Sequence, residues 1–108
     1  MDKSHDPTHA MRLKAGHYNG VTEGTACTQS AFRRGKKSFF FIGEQGGRYK
    51  AMFKLRASKP QAEALAKAHP DDYQAGKGSW ITARFSIDKP MPREIWEHWL
   101  QESYDLSR

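Results

Sequence analysis

The sequence predicts an α+β protein, a two-layer sandwich in which helices cover one face of an antiparallel sheet. Three observations carry this. Along residues 48–56, Arg48, Lys50, Lys54 and Arg56 fall on one parity and Tyr49, Ala51, Phe53 and Leu55 on the other. Period two is the mark of a strand with one apolar and one cationic face. Further strand-like runs precede it, separated by short glycine-bearing turns. Apolar residues then recur at helical spacing near both ends of the chain and once in its middle.

Taken in order, residues 7–18 form the first helix, with Asp6 as its cap, Pro7 in its first turn and Met11, Ala15 and Tyr18 along one face. Asn19-Gly20 ends it. Residues 28–34 make a strand, Gly35-Lys36 a tight turn, and residues 37–43, rich in phenylalanine, a second strand. After the turn at Gln45-Gly46-Gly47, the alternating strand spans 48–57. Ser58 and Gln61 have capping-box spacing and open a helix over 60–68, which Pro70 ends. A loop from Asp71 to Gly78 holds a short strand at Tyr73-Gln74-Ala75. Residues 79–87 form a strand with Ile81, Ala83, Phe85 and Ile87 on one face and Trp80, Thr82, Arg84 and Ser86 on the other. Pro90 and Pro92 lead into a last helix over 92–106 with an apolar stripe of Ile95, Trp96, Trp99, Leu100 and Leu106. Leaving the short strand aside, the order is α-β-β-β-α-β-α.

A length of 108 residues fits one domain, 1–108, around one modest core. Hydrophobic and charged contents of 37% and 28% belong to a folded protein. The single cysteine, Cys27, has no internal disulfide partner, and no stretch reads as a signal peptide or a membrane span. The expected setting is the cytoplasm, as a monomer, with no membrane association.

The formal net charge of +6 points to polyanionic partners. Cations concentrate between Arg33 and Lys59, where the one acid is Glu44, while the last helix carries Glu94, Glu97, Glu102 and Asp105. Same-face residues on a strand lie roughly 6.6 Å apart, close to the spacing of phosphates along a nucleic-acid strand. Arg48, Lys50, Lys54, Arg56 and Arg84 are therefore the expected phosphate contacts, with Lys36, Lys37 and Lys77 at the rim. Trp80, on the parity of Arg84, is the expected stacking platform. Phe39 to Phe41 present apolar groups on both parities, so one set must face outward or lie under another element.

Other chemistry finds little support. Gly76-Lys77-Gly78 lacks the spacing of a phosphate-binding loop and precedes a strand. His5 and His9 are four apart, but His5 precedes the helix cap and no third ligand is in register. His98 pairs with Glu94 and Glu102 at ordinary helix-surface spacing. No nucleophile, base or carboxylate pair stands out, so the chain is expected not to be an enzyme and to need no cofactor or metal.

The ordered set Gly20-Val21-Thr22-Glu23-Gly24, Ala31-Phe32-Arg33-Arg34-Gly35-Lys36-Lys37-Ser38-Phe39, Phe53-Lys54-Leu55, Ala62-Glu63-Ala64-Leu65, His69-Pro70, Lys77-Gly78-Ser79-Trp80 and Trp99 to Leu106 resembles the MmcQ/YjbR family over about residues 8–107. The resemblance implies a frataxin-like (CyaY-like) fold, also called a double wing, a DNA-binding role and no catalysis. Asn19 stands where many members have proline, and the loop between Pro70 and Trp80 is shorter than in many members.

The leading expectation is a nucleic-acid-binding protein, of DNA in particular, using the basic sheet face. A second reading is sequestration of a small aromatic ligand between the sheet and the last helix, lined by Trp96, Trp99, Phe39 to Phe41 and Tyr104. A third is a protein-interaction domain whose basic sheet meets an acidic partner.

Overall fold

The computed structural model of the protein describes residues 6–107. Its elements are α1 (Pro7–His17), β1 (Val21–Ala26), β2 (Gln29–Arg34), β3 (Lys37–Gln45), β4 (Arg48–Lys54), α2 (Lys59–Ala68), β5 (Tyr73–Ala75), β6 (Trp80–Phe85) and α3 (Arg93–Asp105). The α+β architecture matches the expectation. Two strands are added to the expected order: β1, which was not foreseen as a strand, and the short β5. Every pairing is antiparallel, and the six strands lie in the order β1-β2-β3-β4-β6-β5. The short loop after Pro70 still holds a hairpin, formed by β5 and β6.

Local chemistry explains the helix ends. Asp6 accepts hydrogen bonds from the Thr8 amide at 2.8 Å and the Thr8 hydroxyl at 2.7 Å, capping α1 as expected. Gly20, at φ +77°, turns the chain into β1. The capping box of α2 does not form. The Ser58 hydroxyl donates to Glu102 on α3 at 2.7 Å, and Gln61 accepts from the Trp99 indole at 3.0 Å. Both side chains that would have capped α2 instead tie it to α3.

All three helices lie on one face of the sheet. The core between the layers holds Met11 and Ala15 of α1, Ala62 of α2 and Trp96, Trp99 and Leu100 of α3. From the sheet it takes Phe32, Phe40, Ile42, Ala51, Phe53, Ile81, Ala83 and Phe85. Tyr18 stacks on Tyr104 at 4.3 Å, which joins the end of α1 to α3. Burial, followed by the nearby negative charge of Asp105, pushes the Tyr18 hydroxyl up to about 12.

A break in register resolves the run of phenylalanines. The β2–β3 ladder shifts between Phe32 and Arg33, so Phe32 faces Phe40 while Arg33 faces Ser38. The extra residue of this bulge, Phe39, turns inward along with Phe40. Phe41 is left on the opposite face. The expected strand boundaries shorten at two places. β4 ends at Lys54, and β6 ends at Phe85, so Ile87 is 57% exposed and not part of the core. Beyond the last β3–β4 pair, Phe40 with Phe53, Ser103 of α3 takes over the strand's role: its hydroxyl accepts from the Lys54 amide at 3.0 Å and lies 2.9 Å from the Lys54 carbonyl.

Candidate nucleic-acid interface

The face of the sheet turned away from the helices follows from register. Ala31 pairs with Phe41, Phe41 with Met52, Met52 with Thr82 and Thr82 with Gln74, giving an uncharged row across the middle strands. Lys50 and Arg84 form the next cross-strand pair on one side of this row, and Lys54 and Trp80 the next on the other. Arg33, paired with Thr22, lies on the same face at the β1 side. The rings of Phe41 and Trp80 meet at 5.4 Å with their planes 51° apart, and both are half-buried. Of the three tryptophans, Trp96 and Trp99 are buried in the core, so Trp80 alone reaches this surface.

The structure thus brings Lys50, Lys54, Arg84 and Trp80 together. It adds Phe41, whose face sequence parity left open, and Met52, an uncharged residue on the parity of Lys50 and Lys54. Phe41 was hidden because the bulge inverts the parity of Phe39, and no local signal in the phenylalanine run marks that shift.

Two expected contacts are corrected. Arg48 is committed internally: its guanidinium donates to the Asp71 carbonyl at 2.9 Å, to Asp72 at 2.7 Å and to the Arg84 carbonyl at 2.9 Å. It fastens the start of β4 to β6 and to the entrance of β5. Arg56 lies past the end of β4 in the turn before α2, so it is exposed but not on the sheet face. Its amide is held by the Glu102 carboxylate at 2.6 Å. Of the two neighbouring arginines on β2, only Arg33 stays on the open face. Arg34 turns to the helix side and lies 4.6 Å over the Tyr104 ring.

The rim lysines occupy one end of the sheet. Lys36 and Lys37 sit at the β2–β3 turn, and Lys77 sits in the β5–β6 turn beside Lys54 and Trp80. The backbone of that second turn is already engaged, since the Gly76 amide donates to the Trp80 carbonyl at 2.8 Å and Gly78 takes φ +60°. Gly78 at positive φ serves the turn, and Lys77 adds its side chain to this end of the face.

Electrostatically the face is one-sided. Among the described residues Arg12, Arg48, Lys89 and Arg93 form ion pairs with acids, and Arg33, Lys50, Lys54 and Arg84 do not. Arg84 instead donates to two neutral amides, Gln74 at 3.1 Å and Gln45 at 3.5 Å. Asp72 is the acid at the edge of this face, and hydrogen bonding to Arg48, against some burial, holds its carboxyl below the usual range, with Lys89 adding to the effect. On the far side of the molecule, burial would raise Glu102, but the amides of Arg56 and Ser58 and the Ser58 hydroxyl outweigh it and hold the carboxyl below its usual value. These acids are engaged in holding the fold together.

The aromatic set proposed to line a ligand pocket under α3 is packed core. Phe39, Phe40 and Trp99 are fully buried, Trp96 and Tyr104 nearly so, and Phe41 is on the other side of the sheet. Among the described residues no three His, Cys, Asp or Glu side chains gather as a metal site. His5 lies outside the described residues, and His9 is an exposed residue of α1. No described helix is long and apolar enough to cross a membrane.

No curated protein matches the chain. The family model of YjbR matches residues 17–106, from the last turn of α1 to the end of α3, and on that match the chain belongs to the YjbR family.

Proposed function

We propose that this protein is a cytosolic, monomeric nucleic-acid-binding module, with DNA as the first candidate, and not a catalyst. The open face of the sheet is its contact surface. One observation carries the reading: the half-exposed Phe41–Trp80 pair lies among Lys50, Lys54, Arg33 and Arg84, and among the described residues no acid forms an ion pair with any of those four cations. Cations along a strand engage phosphates by releasing counterions, and aromatic faces accept bases without regard to sequence. Recognition is then mostly of the backbone, with Lys36, Lys37 and Lys77 extending the track at one end. The double-wing, DNA-binding description that the family resemblance implies agrees with this reading.

The test is a titration of single- and double-stranded DNA and RNA at several salt concentrations, followed by fluorescence anisotropy of the labelled nucleic acid. Binding that weakens steeply with salt and is abolished by joint Lys50→Glu and Lys54→Glu substitution is expected. Absence of binding to every nucleic acid at low salt refutes the function. Binding untouched by the double substitution refutes the site.

A further inference from the structure

A pocket opens on the same face, at the end away from the rim lysines. Ala26, Cys27, Thr28 and Gln29 of the β1–β2 hairpin form one wall, and Phe41, Gln45 and Met52 form the floor and the other wall. Its volume is about 400 Å³, within the rough range of 300–1,000 Å³ that holds small planar ligands. A glycine builds it. A side chain at Gly43 would come within 3.2 Å of the Thr28 carbonyl oxygen and the Gln29 Cα and 3.0 Å of the Gln29 Cγ. Its absence lets the hairpin lie close over β3.

We propose that the open face takes its nucleic acid single-stranded, with one unstacked base seated in this pocket and the adjoining phosphates on Lys50 and Arg84. The inference rests on the nucleic-acid reading of the face and assigns the state of the strand and a site for a base. Three features favour this occupant. The floor is apolar and includes the Phe41 ring, which also meets Trp80, so one aromatic patch supports both the pocketed base and its neighbour. Lys50 pairs with Gly43 in the β3–β4 register and with Arg84 in the β4–β6 register, which puts two cations beside the pocket where a backbone would pass. Gln45, on the wall, accepts from Arg84 through its amide oxygen, which leaves its NH2 as a donor for a base carbonyl or ring nitrogen. A duplex keeps its bases stacked and paired, so only an unpaired strand can fill the pocket without melting.

Cys27, the sole cysteine and exposed on the pocket wall, provides the readout. The full chain is titrated with a short oligothymidylate, an abasic oligomer of equal length and charge, and a duplex, and the alkylation rate of Cys27 is measured in each. The expected result is that the oligothymidylate binds about ten-fold or more tightly than the abasic oligomer, with the same salt slope, and that it alone slows alkylation. Prior alkylation of Cys27 with a bulky maleimide is expected to bring the oligothymidylate down to the abasic affinity. Equal binding of the abasic oligomer, or equal protection by the duplex, overturns the base pocket while the phosphate-contacting face stands. No binding by any of the three at low salt overturns both.

Discussion

Replacing Lys50 and Lys54 with alanine isolates the electrostatic part of the proposed interface. Both side chains are half-exposed on the open face, on either side of Met52, and roughly 13 Å apart along β4. Neither takes part in an ion pair among the described residues, so their removal leaves no buried charge behind there. Each phosphate contact to a single strand adds about −0.7 to the slope of log affinity against log salt. Arg33, Lys50, Lys54 and Arg84 together account for a slope of about −2.8, and the double variant loses about 1.4 of it. Between 50 and 200 mM salt the advantage of the unsubstituted protein over the variant should therefore shrink about seven-fold. This difference does not depend on what the rim lysines add, because they are common to both proteins. The assay is fluorescence anisotropy of a labelled oligonucleotide at four or five salt concentrations, with thermal unfolding as the control for folding. A variant that loses affinity with an unchanged slope would show that the lysines act through structure and not as phosphate contacts. A variant with full affinity would move the interface off this face.

Four further outcomes follow from the geometry. Lys50 stands directly opposite Arg84, so Lys50→Glu exchanges a like-charge pair for an attractive one; it should raise stability by about 0.5–1.5 kcal/mol in thermal unfolding while weakening nucleic-acid binding, and a loss of stability would count against the register argument. Arg48→Ala removes three hydrogen bonds that join β4, β6 and the approach to β5; it should cost about 1–2 kcal/mol and leave the salt slope of binding unchanged. Glu102 has a depressed pKa in the folded state, so its stabilisation is present above its unfolded value of 4.5 and is lost as pH falls below it. Asp72 adds the same behaviour below 3.8. Unfolding temperature should accordingly drop from about pH 4.5 downward, and Glu102→Gln should both lower it at neutral pH and flatten the acid limb. Gly43→Ala presses a methyl group against the backbone of Thr28 and Gln29; it should cost about 1–3 kcal/mol and change the alkylation rate of Cys27, which is readable by mass spectrometry.

The alternating strand at 48–54 was legible because its two faces meet different solvents, and period two records that difference residue by residue. The helices were legible for the same reason, although α3 buries Ser103 and Tyr104 more completely than the Ile95 and Leu106 of its expected stripe. β1 was not legible. Val-Thr-Glu-Gly-Thr-Ala is an edge strand of short, half-exposed side chains, and it is held mainly by its ladder to β2. The bulge was hidden because it sends two successive residues, Phe39 and Phe40, into the core, which strict alternation along a strand does not allow. The roles of Arg48 and Ser58 were hidden because their partners, Asp72 and Glu102, lie far along the chain. A rule of face and spacing assigns a direction to a side chain and cannot see what waits there.

That distinction sorts the cations of the chain. Where the fold offers several acceptors together it uses arginine, whose planar fork satisfies more than one at once. Arg48 serves two carbonyls and a carboxylate, and Arg12 reaches Ser30 and Glu23. Lys50 and Lys54 have no such employment, and Arg84 meets only neutral amides. Lys50 and Arg84 even face each other across β4 and β6, an arrangement that weakens the sheet by roughly 0.2–1 kcal/mol. A single carboxylate at either position would remove that cost. A face that keeps opposed cations around a half-exposed aromatic pair gives up stability at the place where an anion would restore it, which agrees with the proposed use of this face as a binding surface.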